Sequence, residues 1–299
     1  MTEGIRSKIA LAIDIGGTKL AAGLVTDDGD VLIMEQVPTP QDFQSDQLFS
    51  SLLALARDVL GANTEVAVCG VGCGGPMTQN GERVSPLNIP AWREFPLRER
   101  LSKGLEMGVS IDNDAKALAL GEAWFGAGKK LSNFLAMVIS TGIGGGLFID
   151  GQLLDGAAGN AGHIGHVIVE PEGADCVCGS RGCLEAEASG PSIGRRLGAD
   201  PSSAGAKERR RAGVLVGRAV ASAVNLLDLE QVLVGGSVAL GFGEDFFAAA
   251  NNELSERCQL EFSRGVQILP VGLGTEAPLV GAAAVGFRSL GIDPRTRPI

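Results

Sequence analysis

The sequence predicts an α/β fold made of two related lobes, and three observations support this prediction. Short β-rich apolar runs alternate with segments whose apolar residues follow helical spacing. A strand, a glycine-rich turn and a second strand occur near the N-terminus around DIGGT, and the pattern returns in mid-chain around STGIGGG. The 299 residues, of which 45% are hydrophobic, are enough for about two domains of ordinary size. The repeated pattern predicts two lobes with a cleft between them.

In the first half of the chain, apolar runs bounded by turn residues predict strands, and helical spacing predicts helices. The predicted strands cover residues 8–14, 20–25, 31–37, 66–72 and 109–111. The predicted helices cover residues 45–60 and 115–125, and Ser45 is the expected N-cap of the first helix.

The second half repeats the pattern and adds one long loop. Its predicted strands cover residues 134–140, 147–150, 232–234 and 266–271, and its predicted helices cover residues 213–229, 245–258 and 278–290. Residues 151–190 are predicted to be an irregular loop, and a loop of that length is usually functional or held by a metal. We place the lobe boundary near Ala115, which gives a small lobe of residues 1–115 plus about 286–299 and a large lobe of residues 116–285.

The charge balance argues against several classes of partner. With 25 basic and 35 acidic residues the formal net charge is −10, which disfavours nucleic acid and anionic membranes. No run approaches the roughly 18 apolar residues of a membrane span, and the N-terminus lacks the features of a signal peptide. We therefore expect a cytoplasmic protein without a nucleic-acid or membrane partner. The charge run at residues 207–211 is interpreted as a solvated helix face.

Three glycine turns at predicted strand ends are candidate nucleotide sites. In residues 14–19, two glycines allow an anion to approach backbone amides, and Asp14 offers a carboxylate for a metal-bound water. Alone this segment would fit a tight β-hairpin equally well, but a second glycine turn at residues 140–146 favours phosphate binding by both. The third turn, Gly235-Gly236-Ser237, is a candidate to flank a base or ribose, or is an ordinary turn.

A cluster of histidine and cysteine in the long loop predicts a structural metal site. His166, Cys176, Cys178 and Cys183 offer an imidazole and three thiolates, which is the ligand set of a closed tetrahedral zinc site. A disulfide and unrelated buried thiols are the alternatives, and the close spacing in a cytoplasmic chain disfavours a disulfide. The other cysteines, Cys69, Cys73 and Cys258, are interpreted as core thiols.

Two further groups of polar residues are candidates for chemistry on a substrate. Asn113 and Asp114 lie where a predicted strand becomes a helix, so they fit a helix N-cap or a carboxylate that accepts a hydroxyl proton. Both histidines of the chain, His163 and His166, lie in one short loop with Glu185 downstream. For His163 a plain surface position remains an alternative.

Taken together, these segments resemble the ROK family, named for repressors, open reading frames and kinases of sugars. LAIDIGGTKLAAGLV and MVISTGIGGGLFIDG are similar to its two phosphate segments, and VSIDNDAKALALGE is similar to the segment with its catalytic aspartate. GNAGHIGHVIVEPEGADCVCGSRGCLEAEASG resembles the family signature with its zinc cluster, and VLVGGSVA resembles the adenosine segment. The resemblance covers nearly the whole chain. It implies two ribonuclease-H-like lobes of the actin-like ATPase and hexokinase superfamily, with ATP and sugar in the cleft.

The resemblance also implies roles for individual residues. Asp114 matches the general base that takes the proton of the sugar 6-hydroxyl, and Asp14 matches the residue that orients magnesium. His166 would bind zinc through one nitrogen and the sugar through the other. The implied sugar-binding residues are Gly75, Asn88, Asn113, Asp114, His163, His166 and Glu185. The implied phosphate- and nucleotide-binding residues are Asp14, Gly16, Gly17, Thr18, Lys19, Thr141, Gly142, Gly144, Gly145, Gly235 and Gly236.

The implied activity is that of an ATP- and magnesium-dependent hexose 6-kinase with a structural zinc, working as a homodimer. Many glucokinases of the family carry Glu where this chain has His163, and AGHIGH resembles N-acetylmannosamine kinases and some actinobacterial sugar kinases. Glucose and N-acetylmannosamine are therefore the two candidate substrates. A sugar-sensing repressor is disfavoured, because only 13 residues precede Asp14 and repressors of the family carry a helix-turn-helix segment there. A non-catalytic binding module would be expected to lack Asp114 or a phosphate turn.

Overall fold

Two five-stranded sheets with flanking helices form the framework of the protein. The structure, a computed structural model, describes residues 7–40, 44–63 and 65–296. Within these residues the strands are β1 (Ile9–Ile15), β2 (Lys19–Thr26), β3 (Val31–Pro38), β4 (Val66–Cys73), β5 (Val109–Asn113), β6 (Phe134–Ile139), β7 (Ile143–Ile149), β8 (Gln152–Leu153), β9 (Gln231–Gly235) and β10 (Ile268–Pro270). The α-helices are α1 (Ser45–Leu60), α2 (Leu97–Leu105), α3 (Asp114–Phe125), α4 (Leu184–Ala188), α5 (Gly190–Leu197), α6 (Ala206–Leu227), α7 (Ser237–Phe242), α8 (Glu244–Arg257) and α9 (Ala277–Ser289).

The chain divides into two compact units. The first unit comprises the described residues up to Lys129, Gly156–Asn160 and those from Thr275 onward, and the second comprises Lys130–Asp155 and Ala161–Gly274. This differs from the expected division near Ala115 and at about residue 286, because α3 and the whole of α9 belong to the first unit. These two helices pack so closely that a Cβ built on Gly281 would lie 2.5 Å from the carbonyl oxygen of Ala117. Residues 1–6 and 297–299 of the expected small lobe lie outside the described residues.

The sheet of the first unit has the strand order β3-β2-β1-β4-β5. Strands β1, β2 and β3 form an antiparallel meander, whereas β4 and β5 run parallel to β1. Asp14 pairs with Gly72, and Gly72 pairs with Asp112, so the carboxyl ends of β1, β4 and β5 lie side by side. Buried side chains of β1, β4 and α1 form the core, together with Trp92 stacked on Phe95 at 4.6 Å between ring centroids.

The sheet of the second unit has the order β8-β7-β6-β9-β10. Strands β6, β7 and β8 form an antiparallel meander, and β9 and β10 run parallel to β6, so the topology is that of the first unit. The structure thus confirms the internal repeat that the two glycine turns predicted. Buried residues of α6 and α8 share one core cluster with this sheet. Gly213 allows the two helices to approach, since a Cβ there would lie 2.3 Å from the carbonyl oxygen of Phe246.

Three details of the sequence-based prediction are wrong. Strand β7 begins at Ile143, so Gly144 and Gly145 lie in a strand rather than in a turn over residues 141–146. Helix α1 begins at Ser45 as predicted, but its N-cap is Gln44, whose backbone N–H donates to Oε1 of Gln47 at 3.2 Å. Helix α6 begins at Ala206, so the charge run at 207–211 forms its first turns.

Four helices were not predicted, namely α2, α4, α5 and α7. Each has at most nine residues, so its apolar positions span too few turns to give a periodic signal. The predicted irregular loop over residues 151–190 is shortened accordingly, because it contains β8 at one end and α4 at the other. Among the described helices, none combines the length and apolar character needed to cross a bilayer.

Candidate active site

In the first unit, the candidate residues lie at the carboxyl ends of the three parallel strands. Asp14 lies next to the last position of β1, and Asp114 is the first residue of α3, directly after β5. A Cβ built on Gly72 of β4, between these strands, would lie 3.7 Å from Oδ1 of Asp14 and 3.6 Å from Cα of Asp114. The fold therefore brings together two carboxylates that are 100 positions apart in the sequence.

The environment of Asp14 disfavours its negative charge. The pKa of Asp14 is raised from 3.8 to about 7, mainly by burial of the carboxyl group and also by the negative charge of Asp114, while Lys19 opposes the shift. A divalent cation would relieve this repulsion, and one or two carboxylates with substrate phosphates are the usual partners of magnesium. The oxygen donors present therefore fit magnesium, with Asp14 as the residue that would hold it or its bound water.

The side chains of Asn113 and Asp114 cap helix α3, which is one of the two roles that the sequence suggested for them. Oδ1 of Asn113 accepts a hydrogen bond from the backbone N–H of Ala115 at 3.0 Å, and Oδ1 of Asp114 accepts from the same N–H at 2.8 Å. Both residues are only half-buried, so a substrate could reach their side chains while they cap the helix. The capping role and the proposed substrate role are therefore compatible.

The first glycine turn lies beside another candidate residue, Asn88. The backbone N–H of Gly16 donates to the carbonyl oxygen of Lys19 at 3.0 Å, which closes the turn between β1 and β2 and leaves Thr18 and Lys19 exposed. A Cβ built on Gly17 would lie 3.0 Å from Nδ2 of Asn88. Thus Asn88 lies against the turn. The residue before it, Leu87, donates its backbone N–H to the carbonyl oxygen of Gly75 at 3.2 Å.

Two residues of the first unit that sequence reasoning missed support this region. Lys116 is only 2% exposed and forms an ion pair with Asp112 at 2.8 Å, and its Nζ also donates to the carbonyl oxygen of Gly159 at 3.2 Å. The amide of Asn160 both accepts from the N–H of Met77 at 3.2 Å and donates to its carbonyl oxygen at 2.9 Å. The spacing of four between Asp112 and Lys116 was the only signal in the sequence, and it is common on exposed helices.

In the second unit, the segment with both histidines packs against β7. A Cβ built on Gly165 would lie 2.0 Å from the carbonyl oxygen of Ile143, and one on Gly162 would lie 2.1 Å from that of Gly145. The glycines at these positions are required because the two backbones touch. The rings of His163 and His166 lie 6.0 Å apart. Burial lowers the pKa of His163, and His166 lowers it further, so its imidazole is neutral at neutral pH.

Glu185 contacts the second glycine turn directly. Its Oε2 accepts a hydrogen bond from the backbone N–H of Ile143 at 2.8 Å and would lie 3.0 Å from a Cβ built on Gly142. The N–H of Ile143 is therefore engaged within the protein, and Gly144 and Gly145 pair with β6. Of the predicted phosphate residues in this segment, the structure leaves Thr141 and Gly142 in the turn itself.

The second and third glycine turns lie next to each other. Oγ of Ser140 and Oγ of Ser237 are 3.0 Å apart. Gly236 has a φ of 96°, and a Cβ there would lie 2.3 Å from the carbonyl oxygen of Ile139, so glycine is required at this position. The structure thus brings Thr141 and Gly142, which are predicted to hold phosphates, and Gly235 and Gly236, which are predicted to hold adenosine, to one end of the sheet of the second unit.

The predicted zinc ligands converge in the second unit. The ligand atoms of His166, Cys176, Cys178 and Cys183 all lie within 4.8 Å of one another. Sγ of Cys176 is 3.7 Å from Nδ1 of His166, and the sulfurs of Cys178 and Cys183 are also 3.7 Å apart. Tetrahedral zinc would separate two sulfurs by about 3.8 Å and a sulfur from a nitrogen by about 3.6 Å, given bonds of about 2.3 and 2.1 Å.

The distances at this cluster therefore fit zinc. The disulfide alternative is wrong, because all six cysteines have free thiols. Because Nδ1 of His166 faces the thiols, its other ring nitrogen, Nε2, points away from them. Cys69, Cys73 and Cys258 are buried, as expected for core thiols.

A buried acidic residue that the sequence did not reveal, Glu187, fastens the cluster to the rest of the unit. Its Oε1 accepts from the N–H of Ala174 at 2.6 Å, and its Oε2 pairs with Arg211. Burial alone would raise the pKa of Glu187, but these two partners hold it below its usual value. Arg211 belongs to the charge run interpreted as a solvated helix face, and for this residue that interpretation is wrong, because its guanidinium also donates to the carbonyl oxygen of Glu187 at 3.0 Å.

Comparison with known proteins places the chain in a family. The ROK family profile matches residues 10–287. The chain is 32% identical to the glucokinase of Thermotoga maritima over 307 residues, which cover 92% of this chain and 96% of that protein. It is also 32% identical to the N-acetylmannosamine kinase of Haemophilus influenzae over 295 residues, covering 91% of this chain and 93% of that protein.

A solved structure agrees with the sequence comparison. The crystal structure of a ROK family glucokinase from Streptomyces griseus, in complex with glucose and AMPPNP, matches with a TM-score of 0.84 and 29% identity, covering 94% of this chain and 99% of that chain. The neighbouring folds confirm the predicted actin-like ATPase architecture, and the named relatives support the predicted class of ATP-dependent sugar kinases. The chain belongs to the ROK family.

Proposed function

We propose that this protein transfers the γ-phosphoryl group of ATP to the 6-hydroxyl of glucose or a related hexose. The observation that carries this proposal is the pair of half-buried carboxylates at the ends of β1 and β5, with Asp14 near the end of a strand and Asp114 at the start of a helix. A kinase needs a cation held near the phosphates and a base at the nucleophile, and little covalent chemistry from the protein. The two carboxylates are suited to these two tasks.

In the proposed reaction, Asp114 accepts the proton of the sugar 6-hydroxyl while the hydroxyl oxygen attacks the γ-phosphorus and ADP leaves. Asp14 would hold magnesium, and a bound magnesium ion would neutralise charge on the phosphates. Residues 16–19, Thr141 and Gly142 bind phosphates, and Gly235 and Gly236 bind the adenosine. A positioned base contributes about 10²–10⁴-fold to the rate, and correct placement of the reactants contributes more.

The sugar is proposed to bind Asn113, His163, His166 and Glu185, with Gly75 and Asn88 as further contacts. His166 binds zinc through Nδ1 and the sugar through Nε2, and zinc keeps this part of the loop folded rather than reacting. The spacing of the four ligand atoms supports this division of the imidazole between metal and substrate.

N-acetylmannosamine is the second candidate substrate, and His163 is the residue that favours it. A neutral imidazole offers one donor and one acceptor, whereas an ionised carboxylate only accepts. His163 is therefore suited to donate to the carbonyl oxygen of an N-acetyl group, although it would also accept from a glucose hydroxyl. The similarity to kinases of both names supports both substrates equally.

The test is a coupled kinase assay with glucose, mannose, N-acetylglucosamine and N-acetylmannosamine, on the wild-type protein and on His163→Glu. Phosphorylation of at least one of these sugars is expected, and His163→Glu should shift relative kcat/KM from the N-acetyl sugars toward glucose. No activity on any sugar with ATP and magnesium would contradict the proposed function. Unchanged relative kcat/KM values would remove His163 from the specificity determinants.

The proposal also includes the location, the partners and the oligomeric state that the sequence predicted. The net charge of −10 supports an enzyme without a nucleic-acid or membrane partner, family resemblance supports a homodimer, and a cytoplasmic location stays a prediction. The same charge disfavours the sugar-sensing repressor.

A further inference from the structure

The segment from Glu185 to Gly190 holds the turn between β6 and β7 at both of its ends. At one end, Oε2 of Glu185 accepts from the N–H of Ile143 at 2.8 Å. At the other end, the N–H of Gly190 donates to the carbonyl oxygen of Ser140 at 2.8 Å. Besides the contact of Ser140 with Ser237, the turn of residues 140–142 is therefore held by these two contacts from outside its own hairpin, and one of the two is made by a carboxylate side chain.

The hydrogen bond from Ile143 to Glu185 strongly restrains the conformation of the turn. A hydrogen bond from a backbone N–H to a carboxylate is charge-assisted and stronger than a neutral one. The carboxylate also lies against Gly142, at 3.0 Å from where a Cβ would be. Because Glu185 takes the N–H of Ile143, the amides left for an anion in this turn are those of Thr141 and Gly142, and their direction depends on where Glu185 stands.

We propose that Glu185 is a positioning residue for the nucleotide phosphates as well as a sugar ligand, so that one carboxylate couples the two substrates. This inference rests on the proposed function, which gives Glu185 its sugar contact and the turn its phosphate contact. Oε2 fixes the phosphate turn, and Oε1 takes a sugar hydroxyl. A bound sugar then restrains Glu185 in the position that shapes the turn, and by thermodynamic linkage a bound nucleotide raises the affinity for sugar by the same factor.

Variants of Glu185 separate this role from sugar binding alone. Glu185→Gln keeps an oxygen acceptor at the same reach, so the turn should keep its shape. Glu185→Asp keeps the charge but withdraws the carboxylate by about 1.5 Å, the length of one C–C bond, which breaks a hydrogen bond of ordinary length. Glu185→Ala removes the acceptor. Glu172→Ala is the matched control, since it removes an exposed glutamate from the same unit.

The experiment measures binding of AMPPNP with magnesium by calorimetry to the full chain in the absence of sugar. We expect Glu185→Ala and Glu185→Asp to weaken binding by about 10-fold, the effect of one hydrogen bond to a charged group. Glu185→Gln, which keeps a neutral acceptor, should weaken binding by only about threefold and also lose sugar affinity, whereas Glu172→Ala should stay within about twofold of wild type. Wild-type affinity in the Asp variant, which preserves charge and folding, would overturn the inference. Failure of the wild-type protein to bind AMPPNP would instead contradict the proposed function.

Discussion

The two units share one sheet topology but equip its ends with different chemistry. In the first unit, three parallel strands end at two carboxylates, Asp14 and Asp114, beside a turn that Asn88 contacts. In the second unit, the corresponding ends carry a glycine turn held by Glu185, a neutral histidine and a cluster of three thiols with His166. The comparison shows that the two sheets place the ends of their strands in the same way. The segments that follow the strands determine which functional side chains each unit carries there.

The units also differ in what holds those segments in place. The first unit uses a buried ion pair between Lys116 and Asp112, and the second uses side chains whose distances fit a bound metal. An ion pair is complete as soon as the unit folds, whereas a metal cluster makes folding of the loop depend on a ligand. Changes to these two supports should therefore have different consequences.

Removing a metal ligand should give the largest loss of stability. We expect about one zinc per chain, and Cys178→Ser should abolish most of the metal content and cost several kcal/mol or more in the second unit, because structural zinc contributes about 10 kcal/mol or more of binding energy. Metal analysis and thermal unfolding of protein purified without added zinc measure both effects. Cys258→Ser, which changes a buried thiol of the same unit outside the cluster, should keep its zinc. Full stability of metal-free protein would refute the structural role.

Breaking the buried ion pair of the first unit should have the next largest effect. Lys116→Met removes the 2.8 Å partner of Asp112, whose carboxylate also has Arg288 at 4.0 Å, and should lower the free energy of unfolding by about 3 kcal/mol, independently of zinc. The matched control is Arg98→Met, which breaks the exposed pair of Arg98 with Glu82 and should cost less than about 1 kcal/mol. Urea unfolding of both variants makes the comparison. Equal losses would mean that burial of Lys116 contributes nothing beyond a surface pair.

The raised pKa of Asp14 predicts a smaller effect that depends on pH. Its pKa of about 7 in the folded protein exceeds the ordinary value of 3.8, so the folded state holds an extra proton between about pH 4 and pH 7 and loses stability as the pH rises through that range. Asp14→Asn should therefore raise the melting temperature at pH 8, where the carboxylate is charged in the folded protein, and raise it clearly less at pH 5. The measurement is made without added magnesium. An equal shift at both pH values would contradict the electrostatic cause.

Much of the fold and about half of the site geometry were predictable from the sequence. The repeated glycine turns predicted the duplicated topology, and the spacing of His166 with three cysteines predicted a metal cluster, because both signals are local. Gly144 and Gly145 misled the prediction, since both lie in strand β7, and the small size of Gly145 serves the close approach of Gly162 rather than a turn.

The supporting residues were not predictable, because their partners are distant in the sequence. Glu187 reaches Arg211 across 24 positions, and Glu185 reaches Ile143 across 42. No local pattern distinguishes such glutamates from solvated ones. The proximity of Asp14 to Asp114 was not predictable either, because it depends on the register of three strands.

The central claim is that the carboxylates of the first unit perform the chemistry, and the most direct test compares turnover with binding in Asp114→Asn. An asparagine keeps an oxygen to accept from the N–H of Ala115, so helix α3, the melting temperature and the affinities for sugar and AMPPNP should remain near wild type. It has no basic carboxylate, so kcat with the preferred sugar should fall by about 100-fold or more. Near-normal kcat in this variant would show that Asp114 only caps a helix and would contradict the account.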